Sequence, residues 1–246
     1  DECIDRGLLA VDIDYVRFRH EIARLAVESA LSTMQRVRLN RVALEFLISL
    51  PDRESALTRL AHHAIAAADP DAIITHVPSA AQNASRQGAH QEAAILLSAA
   101  LPYASQMTIA GRAAFYEQRS QACFLVGEAS EAVAMSKAAY AQWAVLGDDG
   151  ARGRNLVRCM EIVWLLHTQE SSELRAMGVE ATSLLEHAGS LDDIALAWAA
   201  RSFPNPSSDL EEERAHRVRA LEILPRVQSP DVRITVLTWL VEPEFQ

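Results

Sequence analysis

The chain has 246 residues with 23 basic and 33 acidic side chains, a formal charge of −10 at pH 7, and half of its residues are hydrophobic although only 6% are aromatic. That balance describes a globular chain whose cores are built from Ala, Leu, Val and Ile. It argues against direct nucleic-acid binding, which needs a clustered basic surface. Three widely spaced cysteines, Cys3, Cys123 and Cys159, without any CxxC or Cys/His ligand spacing, are expected to be reduced thiols of a cytoplasmic protein. No run of eighteen apolar residues predicts a membrane span. The start at Asp1 without Met and the end at VEPEFQ suggest a piece of a larger protein.

In chain order, residues 7–18 (GLLAVDIDYVRF) place two short apolar runs around Asp12, Ile13 and Asp14, which predicts a β-hairpin with an acidic turn. Everything after it reads as helix. The first runs from about 19 to 31, with Ile22, Leu25, Ala26 and Ala30 on one side. Ser32 is the expected N-cap of a second over 33–50, whose buried stripe would be Leu39, Val42, Ala43, Phe46, Leu47 and Leu50. Pro51 and Asp52 end it and start the next.

From there the chain reads as antiparallel helix pairs. Residues 53–68 carry Leu57, Leu60, Ala61, Ala64 and Ile65; residues 70–87 carry Ala72, Ile73, Val77, Ala80, Ala81 and Ala84. Pro78 falls inside the latter and is expected to kink it, and Gly88 to close it in a left-handed cap. Further helices are predicted at 90–101, 108–126, 129–146, 151–168, 171–188, 191–202, 210–224 and 230–241, with Gly127, Gly147 and Gly189 at joints and a loop, FPNPSSD, at 203–209.

QGAHQEAAILLSAAL (87–101) and VGEASEAVAMSKAAY (126–140) share Gly in second place, Glu-Ala in sixth and seventh, and Ala-Ala near the end, 39 residues apart. A period of that length is the mark of a helix–turn–helix repeat. One such pair cannot bury its apolar face alone, so pairs stack. The predicted fold is therefore all-α, an α-solenoid of tetratricopeptide-like antiparallel helix pairs with one short N-terminal β-hairpin.

Candidate chemistry is sparse. His62 and His63 are adjacent on a helix and point about 100° apart, while His76 and His90 have no partner at i+3 or i+4; these histidines read as surface or interhelical groups rather than metal ligands. The acidic run Glu211, Glu212, Glu213 at a helix start, with Asp209 as its cap, invites an acid–base or metal reading, but the macrodipole and solvation account for it. Cys123 and Cys159 read as inert core thiols. Trp143, Trp164, Trp198 and Trp239 recur one to a helix, as packing anchors or, for one exposed on a concave face, a binding hot spot. No GxGxxG, GxxxxGK[ST], GxSxG or HExxH occurs, so this segment is not expected to be an enzyme, nor to carry a catalytic residue, metal or cofactor.

The stretches LLAVDIDYVRFRHEIARLAVESAL, LNRVALEFL, LTRLAHHAIAAAD and ITHVPSAAQNASRQGAHQEAAILLSAAL, which lie within residues 8–101, together resemble the middle of large bacterial ATP-dependent transcriptional regulators of the LuxR type. These are relatives of the maltose-operon activator among the signal-transduction ATPases with numerous domains. Over 108–200 the likeness persists as pattern, in GDDGARGRNLVRCMEIVWLL and SLDDIALAWAARS; Asn40, where histidine is common, and TQESSEL, which lacks the usual interhelix glycine, depart from it. The resemblance implies that residues 1–50 are the end of a winged-helix module and 51–246 a repeat sensor. It further implies ATP or ADP in the parent protein, with the neighbouring ATPase domain of the same chain and an inducer (a small molecule or a protein) as partners. No membrane partner is expected, and the full-length protein would be able to oligomerise. His20 would lie where this class uses a histidine to reach the phosphates of ADP; the plain alternative, that His20 caps or packs at a strand–helix corner, stays open. So do two other roles for the repeats, as the regulatory region of a signalling enzyme such as a nucleotide cyclase or as a free-standing adaptor for protein partners.

Overall fold

The computed structural model describes residues 2–11, 16–51, 56–166, 171–203 and 210–241. The acidic turn at 12–14, Asp52, the expected cap Asp209 and residues 204–209 of the FPNPSSD loop lie outside the described residues. Among the described residues there are thirteen α-helices and one two-stranded antiparallel hairpin, and the chain divides into two compact units, 1–80 and 81–246. No helix of the described residues is long and apolar enough to cross a membrane.

In the first unit, a one-turn helix α1 (Glu2–Asp5) precedes β1 (Leu9–Val11), which pairs with β2 (Val16–Phe18) so that Leu9 faces Phe18 and Val11 faces Val16. Helix α2 (Glu21–Ala30) follows, then α3 (Thr33–Ser49) and α4 (Leu57–Ala66). Ser32 caps α3 as expected, in a full capping box with Gln35. The predicted stripe of α3, however, is only partly buried. Leu44 and Leu47 pack with Leu60, Ala61 and Ala64 of α4, and the His63 Nδ1 meets Asn40 Oδ1 at 2.8 Å, whereas Leu39, Val42 and Phe46 are exposed, Phe46 at 61%. The reason is angular. Positions 40, 44 and 47 form the face turned to α4, and positions 39, 42 and 46 lie on a different face of the helix. Helix α2 is exposed over most of its surface, Ile22 at 81%.

Helix α5 (Pro70–Arg86) runs unbroken through Pro78, and Ala72, Ile73, Val77, Ala80, Ala81 and Ala84 are all buried, as their spacing predicts. The second unit continues with α6 (His90–Ala100), a 3₁₀ turn (Leu101–Gln106), α7 (Ile109–Leu125), α8 (Ala129–Leu146), α9 (Asp149–Leu166), α10 (Ser171–Ala188), α11 (Leu191–Arg201), α12 (Leu210–Ile223) and α13 (Pro230–Leu240). From α6 to α12 each helix packs on the next, and alternate helices also meet, α9 on α11 and α11 on α13. Small residues permit the approach: a Cβ on Gly153 of α9 would stand 2.5 Å from Leu185 Cγ of α10, inside van der Waals contact. The stacking register matches the sequence period of 39. Arg154 pairs with Asp193, 39 residues on, and Tyr140 bonds to Glu180, 40 residues on.

The repeat motif also recurs as backbone geometry. Gly88 and Gly127 hold φ of +80° and +82°, and the following amides close the same six-to-one bond, Ala89 to Ala84 (2.9 Å) and Glu128 to Cys123 (2.8 Å). Asp69 to Ala64 (3.2 Å) is the same closure, but there the left-handed position is Ala68, at φ +50°. A Cβ is strained in that region. Ala68→Gly is therefore expected to raise the stability of the chain by about 1 kcal/mol, read as a higher denaturant midpoint at unchanged slope. Gly189 ends α10 differently: its φ is not positive, and its amide donates to the Leu185 carbonyl at 2.7 Å, where a Cβ would also sit 2.7 Å from that oxygen.

Candidate functional site

Between the alternate helices α9, α11 and α13 of the second unit lies an open cavity of about 290 Å³. Helix α9 contributes Arg154, Val157, Arg158 and Glu161, spaced i, i+3, i+4 and i+7 on one face; α11 contributes Asp193 and Leu196; α13 contributes Thr235 and Trp239; and Leu185 of α10 closes the floor. The floor is apolar and the rim is charged.

Each rim group is positioned from behind. Asp193 is held by the capping box of α11, accepting from the Ser190 hydroxyl (3.0 Å) and amide (3.1 Å), and Arg154 Nη1 reaches it at 3.5 Å. Arg158 stands 4.0 Å from Glu117 of α7, beyond hydrogen-bonding distance. Glu117 is instead bound by Trp143 Nε1 (3.1 Å) and by Nδ2 of the buried Asn155 (3.4 Å). Burial pushes the Glu161 carboxyl up, against the pull of Arg158. Trp239 meets Phe203 edge to face at 5.2 Å, and Phe203 stacks on Trp164 at 4.5 Å. Two of the four tryptophans thus share one aromatic ladder, and Trp239 also lines the cavity.

A second cluster joins α10, α11 and α12. Glu212 lies 3.3 Å from Arg175, 3.9 Å from Arg201 and 3.9 Å from His216; Arg201 covers the Trp198 ring at 4.8 Å and donates to Thr182. Glu213 is only 7% exposed. The acidic run is accordingly only in part a solvated face: Glu211 stays exposed, Glu213 is buried, and Glu212 meets the arginines that α10 and α11 bring to the start of α12. Burial, with Arg201 nearby, holds His216 below the usual histidine range. The adjoining cavity of about 30 Å³ has room for one water, so the cluster is an interhelical tie and not a ligand pocket.

The remaining sequence candidates are dispersed. His20 is exposed at the residue before α2, in extended conformation, and its ring makes no cap bond to the helix. His62 and His63 stack edge to face at 5.2 Å, and burial lowers the His63 pKa. Cys123 and Cys159 are buried and their thiols are pushed up, Cys123 to about 11, which suppresses the thiolate. Among the described residues no three His, Cys, Asp or Glu side chains converge as a metal site. The cavity residues carried a signal, the i, i+3, i+4, i+7 spacing on α9, but their partners lie on helices distant in sequence.

No family model and no curated protein matches the sequence. Among solved structures the chain is similar to BtubC (BKLC) from P. vanneervenii, with a TM-score of 0.56 and 14% identity over 85% of this chain and 82% of that one. At that identity the likeness is one of fold.

Proposed function

We propose that residues 1–246 are the sensor and scaffold region of a multidomain, ATP-dependent transcriptional regulator of the LuxR type. Its inducer or partner is received between α9, α11 and α13, and its N-terminal 50 residues join the repeats to the ATPase of the same chain. The observation that carries the reading is the cavity of about 290 Å³, with an apolar floor and a charged rim, between the stacked helices α9, α11 and α13. The sequence resemblance over residues 7–101 supplies the regulator context. Two things support the His20 assignment: the residue is exposed without a cap bond to α2, and an imidazole N–H is chemically suited to donate to a phosphate oxygen. Binding in the repeats would bias a closed, ADP-bound state against an open, oligomerising one.

The test is His20→Ala in the full-length protein, which is expected to loosen ADP retention and raise basal activity. Unchanged ADP release sinks the assignment of His20. Residues 1–246 alone are expected to bind neither ATP nor operator DNA usefully, and stoichiometric nucleotide binding by this segment in calorimetry counts against the reading. The flanking coding sequence separates it from the two alternatives: a nucleotide cyclase module points to a signalling enzyme, and the lack of any upstream ATPase to a repeat adaptor.

A further inference from the structure

The inference here rests on reading the α9–α11–α13 cavity as a ligand site and deepens it by naming the ligand's chemistry. The charges on the rim are not equivalent. Asp193 is committed, holding the Ser190 hydroxyl and amide and facing Arg154 at 3.5 Å. Glu161 sits in a partly desolvated position that favours its neutral form. Arg158 has its nearest acid beyond the cavity, Glu117, at 4.0 Å, and that carboxylate already accepts from Trp143 and Asn155. Arg154 and Arg158 stand one turn apart on the same face of α9, so their guanidinium groups can converge on one planar anion. Below them lie Val157, Leu185, Leu196 and the Trp239 ring, with no charge on the floor.

We propose that this cavity binds a small amphipathic organic acid, its carboxylate on Arg154 and Arg158 and its aromatic or branched body on Val157, Leu196 and the Trp239 ring. The volume, about 290 Å³, stands at the lower end of small-molecule sites, which suits a single ring with a short acid arm. Apolar burial would supply the affinity. The paired guanidiniums would supply the selection for an anion over a neutral or cationic analogue of the same shape.

The probe is 3-phenylpropionate, titrated into the 246-residue protein by calorimetry and by tryptophan fluorescence, beside 3-phenylpropan-1-ol and 3-phenylpropylammonium. The acid is expected to bind about tenfold more tightly than the alcohol, the scale of a charge-assisted hydrogen bond at a partly exposed site, and the ammonium not at all. Arg158→Gln, at an exposed position and with an unchanged melting temperature, is expected to erase the difference between acid and alcohol while leaving the alcohol's binding intact. Leu196→Ala should weaken both together. Equal binding of acid and alcohol, binding of the acid untouched by Arg158→Gln, or no binding of any probe at millimolar concentration to the folded protein overturns the proposal. Acid that binds as described but leaves ADP retention by the full-length protein unchanged would keep the site and refute the regulator reading. An effect of His20→Ala without acid binding would do the reverse.

Discussion

Phe203→Ala is expected to lower the unfolding free energy by about 4 kcal/mol. Phe203 is buried just beyond the end of α11, with one face stacked on Trp164 of α9 and its edge region against Trp239 of α13. Alanine removes the ring's transfer free energy, leaves a cavity between three helices and breaks both aromatic pairs, each worth roughly 1 kcal/mol. Urea titration followed by tryptophan fluorescence reads the effect directly, since both indoles lose their neighbour. Phe203→Leu keeps most of the volume and is expected to cost less than half as much; a loss below about 1 kcal/mol for the alanine variant would mean that the ladder does not bear on stability.

Arg119→Ala is expected to cost about 3 kcal/mol. The Arg119 side chain is buried on α7 and ties its neighbours on both sides: Nη1 donates to Ser98 Oγ of α6 at 2.7 Å, and Nη2 and Nε donate to Glu131 of α8 at 3.0 and 3.2 Å. Truncation leaves a hole where a long side chain packed and a carboxylate that has lost its cation. Because Glu131 keeps partial access to water, Arg119→Met should recover part of the loss. Adding Glu131→Gln to that variant should recover more. A double-mutant cycle by chemical denaturation measures the coupling, and a coupling near zero would show that Arg119 acts through packing alone.

The helical periodicity of the sequence carries most of this fold. In α5 all six residues placed on the apolar stripe are buried. In α3 the same rule places Leu39, Val42 and Phe46 inside, and they are not. Periodicity reports which face of a helix is apolar, whereas burial needs a neighbour to cover it, and α4 covers the adjacent face. Glu213 errs in the opposite direction. A run of carboxylates at a helix start is usually solvated, but Glu213 is buried and its neighbour Glu212 meets Arg175 and Arg201 from α10 and α11, a long-range meeting that no local pattern announces. The cavity follows the same division. The α9 face of Arg154, Val157, Arg158 and Glu161 is legible as a stripe, while its completion by Asp193, Leu196, Thr235 and Trp239 depends on how successive pairs stack.

The stacking of each helix on its sequence neighbours sets the kinetics of assembly as well as the shape. The Arg119–Glu131 tie closes a chain loop of 12 residues and the Tyr140–Glu180 tie one of 40. Loop-closure entropy grows only logarithmically, so the longer tie costs about 1 kcal/mol more than the shorter. Contacts between distant parts of the chain need not form before nearby ones are in place, which is the low-contact-order regime of rapid folding. Folding of residues 81–246 can accordingly begin at any helix pair and propagate to either side, in the manner of a one-dimensional array.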